Sequence, residues 1–263
     1  MSALKVFITG ASSGIGQALA EHYAKEGAII GRAARRQDRL NTLQDSLTTE
    51  TIIYALDVRD AGALEAAALD FIARFGAPDI VIANAGVSAG TLTENKEDID
   101  TFKGVIDINL LGMVHTFQPF IASMKHAGKG SLVGIASVAG IRGLPGAGAY
   151  SASKAAVISY LESLRIELSL DGINVTTIAP GYIKTPMTDI NEYPMPFLMA
   201  PEVAAKKFAS AIAKKKRFIV IPWQMGVLAR FMRLLPPWLW DFMMKHAPRK
   251  AHANWEQVSS TDN

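Results

Sequence analysis

The stretch "LKVFITGASSGIGQALAEHYAKEG" (residues 4–27) decides the fold. Its first six residues form an apolar run, and glycines at 10, 14 and 16 interrupt the middle. Apolar residues then recur at the three- and four-residue spacing of an amphipathic helix. The stretch therefore predicts a buried strand, a tight glycine-rich turn and a helix, in that order.

The same order, an apolar run followed by a segment with helical spacing, repeats along most of the chain. The runs do not alternate apolar with polar residues, which is typical of parallel strands covered on both faces. We therefore predict a single-domain α/β protein: a doubly wound, seven-stranded parallel sheet with helices on both faces. We expect a core over 1–222 and an aromatic, basic extension over 223–263 within the same domain. The seven runs are 4–9, 28–34, 51–56, 79–84, 130–137, 173–180 and 217–222.

Composition excludes some classes of site and location. At 263 residues, 49% of them hydrophobic, the chain can bury a large core. It has no cysteine, which excludes disulfides and thiolate metal sites, and we expect no metal. The opening residues show no apolar signal region, and no run of 18 or more uncharged apolar residues occurs. We therefore expect a cytoplasmic protein without a membrane span.

The glycine turn suits a dinucleotide. Its glycines allow the backbone to approach a pyrophosphate, whose charge is favoured at a helix N-terminus. The spacing is G-x-x-x-G-x-G, which differs from the commonest dinucleotide fingerprint, and a glycine-rich turn can also be purely structural.

Polar and turn residues cluster where the predicted strands end, the edge at which open parallel sheets bind ligands. Two arginines follow the second strand, where an NAD site has a carboxylate. A guanidinium there suits the 2′-phosphate of NADP, although a solvated charge cluster at a helix start is the alternative. The residues at this edge are Arg35, Arg36, Asp57, Asn84, Ala85, Gly86, Ser137, Pro180 and Gly181.

The pentad "YSASK" (150–154) places a phenol and an ammonium one helical turn apart. A nearby cation favours the phenolate and would lower the pKa of Tyr150, which would make it an acid or base near neutral pH. The alternative is an Ala- and Ser-rich helix whose two polar side chains reach water.

Five motifs in order carry a family resemblance over about residues 4–222. "TGASSGIG", "NAG", the asparagine of "IDINLLG", "GIAS" and "YSASK" resemble the classical short-chain dehydrogenase/reductase family. The resemblance implies a Rossmann fold and an NADP(H)-dependent oxidoreductase, with NADP(H) preferred over NAD(H), that interconverts a carbonyl and a secondary alcohol.

By this resemblance four residues would carry the reaction. Tyr150 would be the acid or base, Lys154 would lower its pKa and hold the nicotinamide ribose, and Ser137 would hydrogen-bond the substrate oxygen. Asn109 would hold a water that links Lys154 to solvent. The cofactor would be bound by Gly10, Ser12, Ser13, Gly14, Ile15, Gly16, Arg35, Arg36, Asp57, Val58, Asn84, Ala85, Gly86, Tyr150, Lys154, Pro180, Gly181, Ile183 and Thr185.

Two stretches fall outside the alternation. The loop 181–200 contains Met187, Met195, Phe197, Leu198 and Met199, and methionines fill irregular apolar space, which favours a lipophilic substrate. The residues from 201 onward hold 11 Lys and Arg against 4 Asp and Glu. The extension 223–263 has three interpretations: a wall over the substrate pocket, a subunit contact, or a peripheral contact with an anionic membrane. Pro236 and Pro237 predict that it does not form one continuous helix.

The partners expected are a small carbonyl or alcohol substrate and a second copy of the chain, in a homodimer or homotetramer. No nucleic-acid module is visible, so we expect no nucleic acid. The alternatives are a non-catalytic NADPH-binding sensor or scaffold, and a peripheral membrane protein that binds through the extension.

Overall fold

The computed structural model describes residues 3–44, 47, 49–191, 193–247, 249–250 and 252–257, apart from the side chain of residue 43. It contains one parallel sheet, and the seven predicted strands are confirmed within one or two residues. They are β1 (Lys5–Thr9), β2 (Ile29–Ala34), β3 (Thr51–Ala55), β4 (Ile80–Ala83), β5 (Gly130–Ile135), β6 (Ile173–Pro180) and β7 (Phe218–Ile221).

The strand order is β3-β2-β1-β4-β5-β6-β7, and every neighbouring pair is parallel. Ile8 at the centre pairs with Arg32 of β2 on one side and Ile82 of β4 on the other. The chain runs outward in one direction through β2 and β3 and in the other through β4 to β7. A crevice therefore opens at the carboxyl ends of β1 and β4, where the order reverses.

Helices cover both faces, as predicted. Leu19, Leu40 and Phe208 pack against one face, and Leu64, Phe117 and Leu161 against the other. The helices are α1 (Gly14–Lys25), α2 (Gln37–Gln44), α3 (Ala61–Phe75), α4 (Asp98–Ile106), α5 (Gly112–Ala127), α6 (Gly148–Glu167), α7 (Pro186–Asp189), α8 (Pro201–Ala213), α9 (Trp223–Leu234) and α10 (Pro237–Met244).

The long helix predicted near 99–125 forms, with an interruption. Between α4 and α5 lies a π-helical turn, Asp107–Leu111, which contains Asn109. Such turns often mark functional positions. By length and composition the helix from Asp98 to Ala127 could cross a membrane, the single such helix in the described part of the chain. Its Phe117 and Phe120 are fully buried in the core, so it is a core helix of this fold.

The extension begins with two helices that break where the prolines predict. α9 ends at Leu234, and α10 begins with Pro237, a position where a helix tolerates proline. Arg142, from the loop after β5, holds the corner: its Nη1 donates to the backbone oxygen of Leu235 at 3.1 Å, and its guanidinium lies 5.0 Å from the Trp240 ring centroid.

We expect Gly31→Ala to destabilise the fold by about 1–3 kcal/mol, the usual cost of overpacking a core. A Cβ at Gly31 of β2 would lie 2.6 Å from Phe7 Cδ2 and 2.9 Å from Phe71 Cδ2, and both rings are fully buried. Urea unfolding followed by circular dichroism measures the effect.

The matched control is Gly62→Ala on the exposed side of α3, where the nearest atom to a new Cβ is Asp60 Oδ1 at 3.4 Å. This change should be neutral or stabilising by up to about 1 kcal/mol, because alanine favours a helix. Equal midpoints for both variants would contradict the packing argument.

Candidate active site

A cavity of about 650 Å³ opens along the carboxyl ends of the strands. It brings together predicted residues from six strand ends and from α6. Those that line it are Gly10, Ser12, Ser13, Gly14, Ile15, Arg35, Arg36, Asp57, Val58, Asn84, Ala85, Gly86, Ser137, Tyr150, Lys154, Pro180, Gly181, Ile183 and Thr185.

Two predicted residues, Gly16 and Asn109, stand behind the wall of the cavity. A Cβ on Gly16 would overlap the carbonyl oxygen of Gly10, so glycine is required where α1 packs on the turn. Asn109 is 1% exposed and supports the backbone after β4. Their contribution to the site is therefore indirect in this structure.

The glycine turn is fixed by β4. Gly10 has a positive φ of 67°, and a Cβ there would lie 2.8 Å from Ala85 Cα. Asn84 Nδ2 donates to the backbone oxygens of Thr9 at 3.2 Å and Gly10 at 3.1 Å. Gly14, also at positive φ, begins α1 and approaches Thr185. The turn thus presents bare backbone at the start of a helix, which fits a pyrophosphate.

Cationic side chains surround the end of the cavity beside β2. Arg36 Nη2 donates to Ser12 Oγ at 3.0 Å and Ser13 Oγ at 2.9 Å, which ties the arginine to the glycine turn. Asp57, the nearby carboxylate, is paired with Arg59 at 2.6 Å. Burial opposes ionisation of Asp57, but the hydrogen bonds from Arg59, aided by the charge of Arg35, hold its pKa below the ordinary value. This end therefore suits an anion.

The pKa of Tyr150 is raised in this structure, whereas the sequence led us to expect a lowered value. Burial, the largest effect, raises the pKa of the phenol, and a hydrogen bond with Ser137 lowers it in part. The geometry explains this: Lys154 Nζ donates to the Ile135 backbone oxygen at 2.9 Å and lies 5.8 Å from the centroid of the Tyr150 ring. The ammonium thus sits against the ring and bonds a carbonyl.

Lys154 itself is buried, and burial lowers its pKa to about 8. A Cβ on Gly86 would lie 3.5 Å from its Nζ and 3.1 Å from Asn109 Oδ1, so a glycine leaves room where lysine and asparagine converge. The lysine is therefore held within the wall, close to the phenol and to the segment after β4.

Asn109 clamps that segment from beneath. Its Oδ1 accepts from Val87 N at 2.8 Å, and its Nδ2 donates to Val87 O at 3.0 Å and Ser153 Oγ at 2.9 Å. Ser153 lies next to Lys154 on α6. The π-helical turn thus connects the segment after β4 to α6 through one side-chain amide, and the water-holding role expected for Asn109 stays a prediction.

The C-terminal segment 249–257 supplies residues that sequence reasoning missed. Lys250, His252, Ala253 and Gln257 line the same cavity. His252 forms a bridge to Gly90, and its ring contacts Asp98 Oδ1. The Trp255 ring fills the space above Gly104 that a Cβ would occupy. Among the three interpretations of the extension, these lining residues favour a wall over the pocket.

The loop 181–200 contributes less than expected. Of its five predicted apolar residues, only Met187 lines the cavity, whereas Phe197 and Leu198 are exposed. Ile190, which the sequence did not single out, lines it as well. No local signal separates these residues, because their direction depends on the fold of an irregular loop.

Comparison with known proteins identifies the family. Residues 4–193 match the short chain dehydrogenase family. An uncharacterised oxidoreductase of Myxococcus xanthus is 38% identical over 246 residues, covering 92% of this chain and 96% of its own. A 2-dehydro-3-deoxy-L-rhamnonate dehydrogenase (NAD(+)) of a Sphingomonas species is 37% identical over 69% of this chain and 73% of its own.

The fold is also similar to that of a solved dehydrogenase structure. An alcohol dehydrogenase from the archaeon Thermococcus sibiricus, complexed with 5-hydroxy-NADP, superposes with a TM-score of 0.76 at 27% identity, covering 84% of this chain and 96% of that one. A Rossmann sheet, a glycine turn open to a pyrophosphate, and a serine, tyrosine and lysine on one cavity agree with these matches. The chain belongs to the short-chain dehydrogenase family, as an oxidoreductase that acts on an alcohol or carbonyl group with a nicotinamide cofactor.

Proposed function

We propose that the protein interconverts a carbonyl and a secondary alcohol with NADP(H), preferred over NAD(H). The observation that carries the proposal is the meeting of Ser137, Tyr150 and Lys154 on the cavity that also contains the glycine turn and Arg35. One end of this cavity suits a phosphate, and the other holds the half-buried phenol of Tyr150, the proposed proton donor. The sensor or scaffold alternative has no observation of its own in favour.

Tyr150 is the proton donor in the direction of reduction. Its raised pKa keeps the phenol protonated at neutral pH, and Ser137 shares the substrate oxygen with it. When bound, the nicotinamide supplies the hydride that reaches the carbonyl carbon. The oxygen then takes the phenolic proton, and the charge of Lys154 stabilises the phenolate that remains. In oxidation the same proton returns to Tyr150.

The preference for NADP(H) rests on the arginines after β2. Arg35 and Arg36 line the cavity, and Asp57 is already paired with Arg59, so it offers little repulsion to a phosphate. The two relatives differ here, since one is described with NAD(+) and the other with 5-hydroxy-NADP. The relatives therefore do not indicate which cofactor this chain prefers, and we infer the preference from Arg35, Arg36 and Asp57.

The substrate is a small molecule with an apolar body. Val87, Ala89, Met187 and Ile190 line the cavity and support the lipophilic substrate expected from the sequence.

α9 and α10 expose Trp223, Phe231, Leu234 and Trp238, which supports an interaction surface. A homodimer or homotetramer, a peripheral membrane contact and a cytoplasmic location stay predictions.

Tyr150→Phe should lower kcat by about 10²-fold or more, because the proton donor is lost while the ring is kept. NADPH affinity, measured by fluorescence titration, should stay within about threefold. Tyr160→Phe, ten residues further along α6, is the matched control and should turn over as the parent does. A Tyr150→Phe variant with parental kcat would contradict the assignment.

Lys154→Ala should lower kcat and also weaken NADPH binding, because the residue both supports the phenolate and would hold the ribose. Titration of this variant with NADPH separates it from Tyr150→Phe. Parental affinity for NADPH would show that Lys154 has no part in cofactor binding.

The parent should favour NADPH over NADH by about 10- to 10³-fold in kcat/KM, or about 1.4–4 kcal/mol. Arg35→Ala should remove most of this preference by weakening NADPH alone. Arg36→Ala should affect both cofactors, because its hydrogen bonds to Ser12 and Ser13 also hold the glycine turn. Steady-state kinetics with both cofactors measures these effects.

Arg74→Ala is the control for charge alone, since this arginine is exposed on α3 and paired with Asp70. It should leave both cofactors as in the parent. Equal use of NADH and NADPH by the parent protein would refute the preference.

A further inference from the structure

Lys250 is a cation that the proposed mechanism does not use. It lines the cavity that contains Tyr150 and Ser137, although it lies in the C-terminal segment. The residues on both sides of it contact the loops that follow β4 and β5. Arg249 packs so closely on Gly146 that a Cβ there would lie 2.9 Å from Arg249 Cβ, and His252 is bridged to Gly90.

These two contacts place Lys250 at the catalytic end of the cavity, the end lined by Ser137, Tyr150 and Lys154. Gly146 lies in the loop just before α6, which carries Tyr150, and Gly90 follows Gly86, which faces Lys154 Nζ. The arginines that suit a cofactor phosphate lie at the other end, after β2. Lys250 therefore stands beside the space for the substrate.

The residues that follow Lys250 pack against the rest of the fold. The His252 ring contacts Asp98 Oδ1, and Asp98 Oδ2 accepts from Leu92 N at 2.7 Å. Further on, the Trp255 ring packs on Gly104, and the Arg59 guanidinium lies 5.5 Å from its centroid. Contacts with α4 and with Arg59, which follows β3, thus hold His252 and Trp255 in place.

Within the described residues, the Lys250 ammonium has no hydrogen-bond or ion-pair partner. The two charged groups nearest along the segment are otherwise engaged or exposed: His252 bonds Asp98, and Arg249 faces solvent. Burial lowers the pKa of Lys250 to about 8, so most molecules still carry the charge at neutral pH. A partly buried charge without a partner is costly, and an anion in the cavity would relieve that cost.

We infer that Lys250 binds a carboxylate of the substrate, so that the substrate is an apolar oxo acid or the matching hydroxy acid. This inference rests on the proposed function. A single ammonium matches one negative charge, and no arginine lines the catalytic end of the cavity among the described residues, which disfavours a phosphate. Ala89, Met187 and Ile190 supply apolar wall for the chain between carbonyl and carboxylate.

The test compares acids with their methyl esters. 4-Oxopentanoate, 5-oxohexanoate and 6-oxoheptanoate are each assayed against the methyl ester, with NADPH, on the parent and on Lys250→Met, Lys250→Arg and Lys245→Met. Lys250→Met removes the charge and keeps the length, Lys250→Arg keeps the charge, and Lys245 is an exposed lysine after α10. Thermal melts confirm that each variant is folded.

The parent should favour at least one acid over its ester by about 10- to 100-fold in kcat/KM, as expected for a charge-assisted hydrogen bond. Lys250→Met should remove this ratio by slowing the acid alone, and Lys250→Arg should restore part of it. Lys245→Met should behave as the parent. Equal kcat/KM for acids and esters on the parent, or an unchanged ratio in Lys250→Met, overturns the inference.

Binding experiments separate this inference from the proposed function. Calorimetry with 5-oxohexanoate on the NADP⁺ complex should show binding by the parent that Lys250→Met weakens about 10-fold or more. If no ketone, acid or ester turns over, the proposed reaction fails while this titration still decides the role of Lys250. If Lys250→Met instead weakens NADPH about 10-fold and leaves the acid unaffected, the lysine binds the cofactor and the inference is wrong.

Discussion

The close approach of two backbone segments, the turn after β1 and the stretch after β4, is the constraint on which the site depends. A side chain at Gly10 would overlap Ala85, and Asn84 bonds both Thr9 and Gly10 across the gap. Because β1 and β4 meet where the strand order reverses, this contact forms the floor of the cavity. The cationic end lies on one side of that floor, and α6, which carries Tyr150 and Lys154, lies on the other.

Burial outweighs charge in setting the pKa values of Tyr150 and Lys154 on α6. Lys154 is buried and Tyr150 is half-buried, and desolvation shifts the pKa of each toward the neutral form. In the proposed reaction both shifts favour the same sequence of events. The phenol keeps its proton until a substrate oxygen takes it, and the phenolate that then forms would stabilise the Lys154 cation beside it. The site is thus prepared for the charge that develops during the reaction.

The sheet, its helices and the sequence motifs were predictable because each depends on residues close together in the chain. Apolar runs mark the strands, the glycine turn follows β1 directly, and any helix brings Tyr150 and Lys154 onto one face. The pKa of Tyr150 was not predictable, since it depends on burial by residues distant in the chain. Nor was the orientation of the loop 181–200, of which Met187 alone among the expected residues reaches the cavity. Lys250 and His252 lie in a segment without a recognisable motif, so its sequence does not predict that they line the cavity.

That late segment connects the two ends of the site. Lys250 stands at the catalytic end, whereas Trp255, a few residues on, lies against Arg59, and Arg59 also pairs with Asp57 at the other end. Arg59, which pairs with Asp57 beside the proposed phosphate site, therefore also contacts the segment that we propose to face the substrate. A recognition group carried by such a segment can change without disturbing the sheet, because the segment contacts loops and α4. Its position, however, depends on the residues that hold it there. We therefore place the determinant of substrate charge outside the five motifs that define the family.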